Sequence, residues 1–175
     1  MKHAREHNRA KLILVFDATP LIYLAKAKFL PKVRELGLEM IIPHGVYVEV
    51  VVRGKEKNKH DAWIIEQLVK EEVFRVQKSP LLFGTQYTLL SEADRDVIAL
   101  AKECEGAVIA DDEEVRRVAE VEGVQSFGSL YLLFRLLQTK KIKREEVKSC
   151  VDKMIEQGWY CSIEVYTTVL KELEK

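Results

Sequence analysis

The 175-residue chain lacks the features that mark several large classes of protein. It has three cysteines, Cys104, Cys150 and Cys161, and no CxxC pair, which argues against a disulfide framework and a structural zinc site. No GxGxxG or GxxxxGK segment occurs, so a glycine-rich nucleotide loop is not expected. No apolar run reaches the roughly 18 residues that a membrane-spanning helix needs.

The chain also has a formal net charge of zero. Lys and Arg together number 28, as do Asp and Glu, so any contact with nucleic acid must use a local basic patch. The first ten residues are polar and contain no apolar segment of a signal peptide. These features predict a soluble, cytoplasmic protein with no membrane partner. The length suits one hydrophobic core.

What the chain does have is a regular alternation of strand and helix patterns. Short apolar runs, such as residues 12–16 and 107–110, predict buried strands, and the amphipathic segments between such runs predict helices. This alternation is typical of a parallel sheet that helices cover on both faces. The valine-rich segment 45–53 fits a strand by composition, but parallel neighbours need a crossover, so we interpret it as a helix.

Acidic residues lie where such a sheet binds ligands. Asp17 follows the first apolar run, with Thr19 as the expected N-cap of the next helix, and Asp111 and Asp112 follow the run 107–110. Open parallel sheets bind ligands beyond the carboxyl ends of their strands, where strand order reverses. If these two strands are neighbours, their acids converge, and clustered carboxylates need a cation, a shared proton or separation. Mg²⁺ prefers such oxygen ligands.

Two further acids lie on predicted helices, and each also has a structural explanation. Glu49 lies within the helix 45–53, where a single acid can simply face solvent. Asp94 ends the pattern Ser-Glu-Ala-Asp at residues 91–94, which resembles a capping box. By helical spacing Asp94 borders the predicted buried face of its helix, whereas Asp96 points elsewhere, so we favour Asp94.

The acidic run at residues 111–114 offers more carboxylates than a site needs. Negative charge at a helix N-terminus is favourable in itself, so two of these four residues need no other role. We rank Asp112 first and Asp111 second as ligands.

Four segments, in this order, resemble the motifs of the PIN domain, a family of metal-dependent nucleases. They are residues 15–24 (VFDATPLIYL), 43–50 (PHGVYVEV), 90–101 (LSEADRDVIALA) and 109–119 (IADDEEVRRVA). Each motif is degenerate, but four in order are fairly specific. The fourth departs from the family pattern, because Ala110 stands where the family often has threonine.

The resemblance covers residues 11–137 and implies a fold. The family has a three-layer α/β/α sandwich whose central parallel sheet has the strand order 3-2-1-4-5. Residues 138–175 are expected to form a C-terminal helical extension packed on the same domain. This tail resembles an extra helical pair in a branch near the VapC-type toxin ribonucleases.

The resemblance also implies an activity, the metal-dependent cleavage of single-stranded RNA within the chain, with Mg²⁺ or Mn²⁺ as cofactor. The implied catalytic and metal-binding residues are Asp17, Glu49, Asp94 and Asp112, with Asp111 as a further ligand. The residues expected to support them are Thr19 and Asp96. The basic residues available for substrate phosphates are Arg53, Lys55, Lys57, Lys59 and Arg116.

Several roles remain open at this point. The toxin-like role implies an antitoxin protein as a partner and often a homodimer. The alternative within the family is an rRNA-processing nuclease, although the cysteines cannot supply its usual zinc ribbon. A haloacid-dehalogenase-type phosphatase needs a second Asp two residues after Asp17, where Thr19 stands. The non-enzymatic alternative is a PIN-like scaffold that binds RNA or protein, and the intact acid set argues against it.

Overall fold

Five parallel strands form one sheet in the order β3-β2-β1-β4-β5. The computed structural model describes residues 12–80 and 86–175; the polar N-terminal segment noted above lies outside the described residues. The strands are β1 (Ile13–Phe16), β2 (Glu39–Pro43), β3 (Arg75–Gln77), β4 (Ala107–Ile109) and β5 (Gln125–Phe127). This confirms the predicted strand order.

Helices cover the sheet, as the alternating pattern predicts. Before β3 they are α1 (Ala18–Lys26), α2 (His44–Tyr47), α3 (Arg53–Glu56) and α4 (His60–Lys70), with a 3₁₀ segment at Leu30–Leu36. After β3 they are α5 (Glu92–Glu103), α6 (Glu113–Val121), α7 (Ser129–Gln138), α8 (Arg144–Glu156) and α9 (Ile163–Glu174). The architecture is the predicted three-layer α/β/α sandwich.

The middle of the sheet is its most buried part. Strand β1 lies between β2 and β4, with Val15 paired with Ile41 on one side and with Val108 on the other. All three side chains are fully buried. A strand that is apolar on both faces suits the centre of a parallel sheet, because helices exclude water from both sides. This core holds the carboxyl ends of β1 and β4 in fixed positions.

The valine-rich segment is helical, as predicted, but its helix is irregular. Residues Val48–Val52 form a π-helical turn between α2 and α3. Val50 and Val51 are buried there, whereas Glu49 is exposed. A π turn widens the helix locally and frequently occurs at functional sites.

The C-terminal helices share this core. Helix α8 packs against α1 and α7 and buries Val147, Cys150, Val151 and Met154 in the cluster that surrounds the sheet. In the ranges that the structure describes, no helix has the length and apolar composition needed to cross a membrane.

Candidate metal centre

The order of the strands reverses between β1 and β4, and a backbone hydrogen bond joins the carboxyl ends of these two strands. The amide of Asp17 donates to the carbonyl of Ile109 over 2.9 Å. Asp111 follows Ile109 after one residue. The acids that end the two apolar runs therefore lie at the point where strand order reverses, as the sequence predicts.

Asp17 is a buried acid at the start of a helix. It is 5% exposed and occupies the N-cap position of α1, yet its side chain makes no capping hydrogen bond. The prediction that Thr19 caps this helix is wrong, because the helix begins at Ala18 and Thr19 lies inside its first turn. The carboxylate of Asp17 is nevertheless available for another role.

Three other carboxylates act on that of Asp17. Burial and, to a smaller extent, the carboxylates of Asp94, Glu49 and Asp111 raise the pKa of Asp17 to about 7, against the opposing effect of the hydrogen bond with the Ala18 amide. These three acids come from α5, from the π turn and from the segment after β4. The fold thus brings together acids that are far apart in the sequence.

Asp94 takes part in the capping box and in this cluster at once. Its Oδ2 accepts from the Ser91 amide at 2.8 Å, and the Ser91 hydroxyl accepts from the Asp94 amide at 3.1 Å. Within the described residues no donor bonds its other oxygen, Oδ1. The two interpretations of Asp94 therefore do not compete, because the cap orients the side chain and leaves one oxygen for a ligand.

Asp96 lies on α5, two residues after Asp94, and bonds a different segment of the chain. It accepts a hydrogen bond from the hydroxyl of Ser79, and a Cβ on Gly45 would lie 3.0 Å from its Oδ2. Asp96 is not among the acids that raise the pKa of Asp17. Its bond to Ser79 fixes the segment after β3 against α5, consistent with a supporting role.

Asp112 and Asp111, ranked first and second as ligands from the sequence, lie in different environments. Asp112 is exposed, and its Oδ1 accepts from the amides of Glu114 and Val115 at 2.8 and 3.1 Å, which caps α6. Asp111, not Asp112, acts on Asp17. The reason is that α6 begins immediately after Asp112, so that residue occupies the N-cap position.

Asp111 is held by residues that sequence reasoning missed. Its Oδ1 accepts from the Ser129 amide, and its Oδ2 accepts from the Ser129 hydroxyl, both at 2.7 Å. The indole Nε1 of Trp159 donates to the same Oδ2 at 2.9 Å. Ser129 opens the helix after β5, a position that a parallel sheet places beside β4, whereas no local pattern marks Trp159.

Two clefts adjoin the cluster, one beside Glu49 and one beside Asp111. The first has a volume of about 640 Å³, and its walls include His44, Gly45, Glu49, Arg53, Ser79 and Asp96. The second has a volume of about 730 Å³, and its walls include Thr19, Asp111, Asp112, Arg116, Trp159 and Tyr160. Glu49 lines the first cleft and Asp111 lines the second, and both carboxylates raise the pKa of Asp17.

The basic residues that could bind substrate phosphates differ in whether they already form ion pairs. Lys55 forms an ion pair of 2.8 Å with Glu66 and lies 4.2 Å from the ring centroid of Trp63. By contrast, Arg53, Lys57, Lys59 and Arg116 form no ion pair with any residue in the described ranges. The first three line, with Glu49 and the buried Asp61, a small cavity of about 260 Å³.

The four acids are suitable ligands for a hard cation, although their side chains do not yet surround a common point. No group of three or more His, Cys, Asp or Glu side chains in residues 12–80 and 86–175 already lies close enough to hold an ion. The chemistry fits, because all four acids supply oxygen and a cation among them would offset the repulsion acting on Asp17. Glu49 is the exposed member of the set.

Comparison with known proteins identifies the family. A family model, DUF3368, described as a PIN domain, matches residues 13–175. The chain belongs to the PIN domain family. The match continues through α8 and α9, so it includes the C-terminal helices. PIN domains are generally nucleases, which supports a nuclease or RNA-binding role for this one.

Two solved structures are similar in fold to this PIN domain. One is a PilT N-terminus domain protein from the hyperthermophile Sulfolobus solfataricus P2, with 16% identity and a TM-score of 0.45 over 70% of this chain and 91% of that one. Another is a domain of a functionally unknown protein from Methanocaldococcus jannaschii DSM 2661, with 17% identity and a TM-score of 0.48 over 68% of this chain and 91% of that one. No curated protein matches the chain.

Proposed function

We propose that this PIN domain is a Mg²⁺- or Mn²⁺-dependent endoribonuclease that hydrolyses single-stranded RNA in the cytoplasm, in a toxin-like role. The observation that carries the proposal is the buried Asp17, whose pKa burial and three neighbouring carboxylates raise to about 7. A protein that only bound RNA would have no use for buried, mutually repelling acids. Strongly perturbed acids beside clefts are typical of catalytic sites.

Four acids would hold the ion: Asp17, Glu49, Asp94 and Asp111. When bound, the metal would lower the pKa of a water molecule and offset the charge that develops at phosphorus. Three of these acids are positioned in advance. Asp17 is held by its backbone bond to Ile109, Asp94 by Ser91 and Asp111 by Ser129. Glu49, the exposed member, would complete the set.

The substrate would extend over both clefts. Arg53 and Lys59 lie beside Glu49, and Arg116 lies beside Asp111, so cations without ion-pair partners in the described residues flank the acids on two sides. Cations of this kind contact phosphates on either side of the cleaved bond. A polynucleotide bound across the acids supports cleavage within the chain. The toxin-like role, with an antitoxin protein and a homodimer as partners, rests on the resemblance of the C-terminal helices.

The test is cleavage of a mixed-sequence single-stranded RNA in the presence of Mn²⁺, Mg²⁺ or EDTA. We expect metal-dependent internal cuts by the wild type and none by Asp17→Asn. Asp112→Asn is the matched control, because asparagine caps a helix as well as aspartate does and this residue lies outside the cluster. No cutting by folded protein, together with no Mn²⁺ binding by calorimetry, would overturn the proposal in favour of an RNA- or protein-binding scaffold.

A further inference from the structure

The C-terminal helices contact the acidic cluster through one side chain. Trp159, which follows α8, is 7% exposed, and its indole Nε1 donates to Oδ2 of Asp111 over 2.9 Å. Its own amide donates to the carbonyl of Met154 at 2.9 Å. The hydroxyl of Tyr23, on α1, donates to the carbonyl of Gly158 at 3.3 Å. The indole therefore approaches Asp111 from a segment that is itself fixed at two points.

The carboxylate of Asp111 has little freedom to rotate. The amide of Ser129 bonds one oxygen, and the Ser129 hydroxyl and Trp159 bond the other. Below it, a Cβ on Gly128 would lie 3.0 Å from Oδ1, so a larger residue at that position would crowd the carboxylate. Oδ1 keeps one lone pair for a further ligand, whereas the two hydrogen bonds to Oδ2 use both of its lone pairs.

We propose that Trp159 is a positioning residue of the metal centre. Its indole N–H holds the Asp111 carboxylate in the orientation in which it acts on Asp17, so the C-terminal extension supplies part of the site. This inference rests on the proposed function, because it takes Asp111 as a metal ligand. Hydrogen-bond donors behind metal-binding carboxylates commonly set ligand orientation and affinity.

The nature of the contact distinguishes positioning from simple packing. The indole N–H can only donate, and its one hydrogen bond in the described structure goes to an acid of the cluster. A tryptophan that served only to fill the core would need its ring and not its N–H. Trp159→Phe keeps an aromatic ring and removes the donor, so it separates the two roles.

The first experiment measures Mn²⁺ affinity by calorimetry for the wild type, Trp159→Phe and the control Trp63→Phe. Trp63 is 52% exposed, on α4, and its ring packs beside Lys55. We expect Trp159→Phe to raise the Kd for Mn²⁺ by ~10-fold or more and Trp63→Phe to leave it unchanged. Circular dichroism and the melting temperature in EDTA establish that the variants fold.

The second experiment keeps Trp159 and uses it as the probe. The chain has two tryptophans, so Trp63→Phe leaves Trp159 as the only one. Because Mn²⁺ is paramagnetic, its binding beside Asp111 should quench the emission of Trp159, and EDTA should restore it. Adding Asp111→Asn to this background should remove the saturable quenching. This measurement requires no RNA and no cleavage.

The outcomes separate the two proposals. If the wild type binds no Mn²⁺, the proposed metal centre is overturned and the role of Trp159 with it. If the wild type binds Mn²⁺ and Trp159→Phe binds it equally well, only the positioning role is overturned. Binding of Mn²⁺ without any change in Trp159 emission would place the ion away from Asp111. That result would also overturn the positioning role of Trp159.

Discussion

Among the neighbouring carboxylates, Asp94 raises the pKa of the buried Asp17 the most. Asp17 directly follows the central strand, and Asp94 lies in the first turn of α5, held by Ser91. This pair is the electrostatic centre of the site, because Glu49 and Asp111 add smaller effects on the same group. Its consequences for stability and for activity can be measured separately.

The stability of the metal-free protein should depend on the charge of Asp17. Its folded pKa, about 7, lies above the ordinary value of 3.8, so the folded state keeps a proton that the unfolded state has lost. The contribution of Asp17 to the free energy of unfolding should therefore fall as pH rises from about 4 to about 7 and stay low above that. The rise from 3.8 to about 7 corresponds to roughly 4 kcal/mol.

Asp17→Asn removes this dependence. Since asparagine resembles the protonated acid, we expect the variant to match the wild type near pH 4 and to be more stable than it near pH 8. Denaturant unfolding of both proteins in EDTA across this range measures the difference. Equal stability at pH 8 would mean that Asp17 is not the buried, repelled acid that the proposed function requires.

Substitutions of the adjacent residues Asp111 and Asp112 should have very different effects on cleavage. Asp111→Asn should abolish cleavage, because it removes a ligand of the cluster. Asp112→Asn should retain both cleavage and stability, whereas Asp112→Ala should lose about 1 kcal/mol of stability through the lost cap. Single-turnover cleavage and thermal unfolding of the three variants test this. Loss of cleavage in Asp112→Asn with Asp111→Asn unaffected would restore the order that the sequence suggests.

The sequence predicts the elements of the sheet and the region of the site. The strands around Val15 and Val108 are predictable because a central parallel strand is apolar on both faces. The helix that carries Glu49 is predictable, against its valine content, because parallel strands need a crossover. These rules also place Asp17 beside the acids after β4. They act on whole elements, so they predict the neighbourhood of the site.

What these rules do not predict depends on single residues. Whether Asp111 or Asp112 turns toward Asp17 depends on where α6 begins, and whether Thr19 caps α1 depends on where that helix begins. Helix ends are set by competing hydrogen bonds that differ little in free energy. The contact of Trp159 with Asp111 spans 48 residues and depends on how the tail packs, which no local pattern encodes.

Ser91 and Asp94 provide a test of structure against function within one capping box. Ser91→Ala should cost about 1 kcal/mol of stability, since it removes the acceptor for the Asp94 amide, and should reduce cleavage only modestly. Asp94→Asn should abolish cleavage with a smaller effect on stability. The comparison uses denaturant unfolding beside the rate of cleavage at saturating Mn²⁺. Equal losses of cleavage in the two variants would mean that Asp94 acts only through the helix.

The basic residues should differ in their contribution to RNA binding. Arg116 lines the cleft beside Asp111 and forms no ion pair among the described residues, so its guanidinium is available to a phosphate. We expect Arg116→Gln to weaken binding and to reduce the slope of log K against log salt concentration by about 1. Fluorescence anisotropy with a labelled single-stranded RNA in EDTA measures binding without cleavage.

Lys55→Gln is the matched control for this charge change. Lys55 already pairs with Glu66 and lies over the ring of Trp63, so its loss should leave both the affinity for RNA and the salt slope nearly unchanged. Because each substitution removes one positive charge, a difference between them reports position and not net charge. Equal weakening by both would mean that RNA is attracted by the general field of the surface, and the cleft beside Asp111 would lose its support as the path of the substrate.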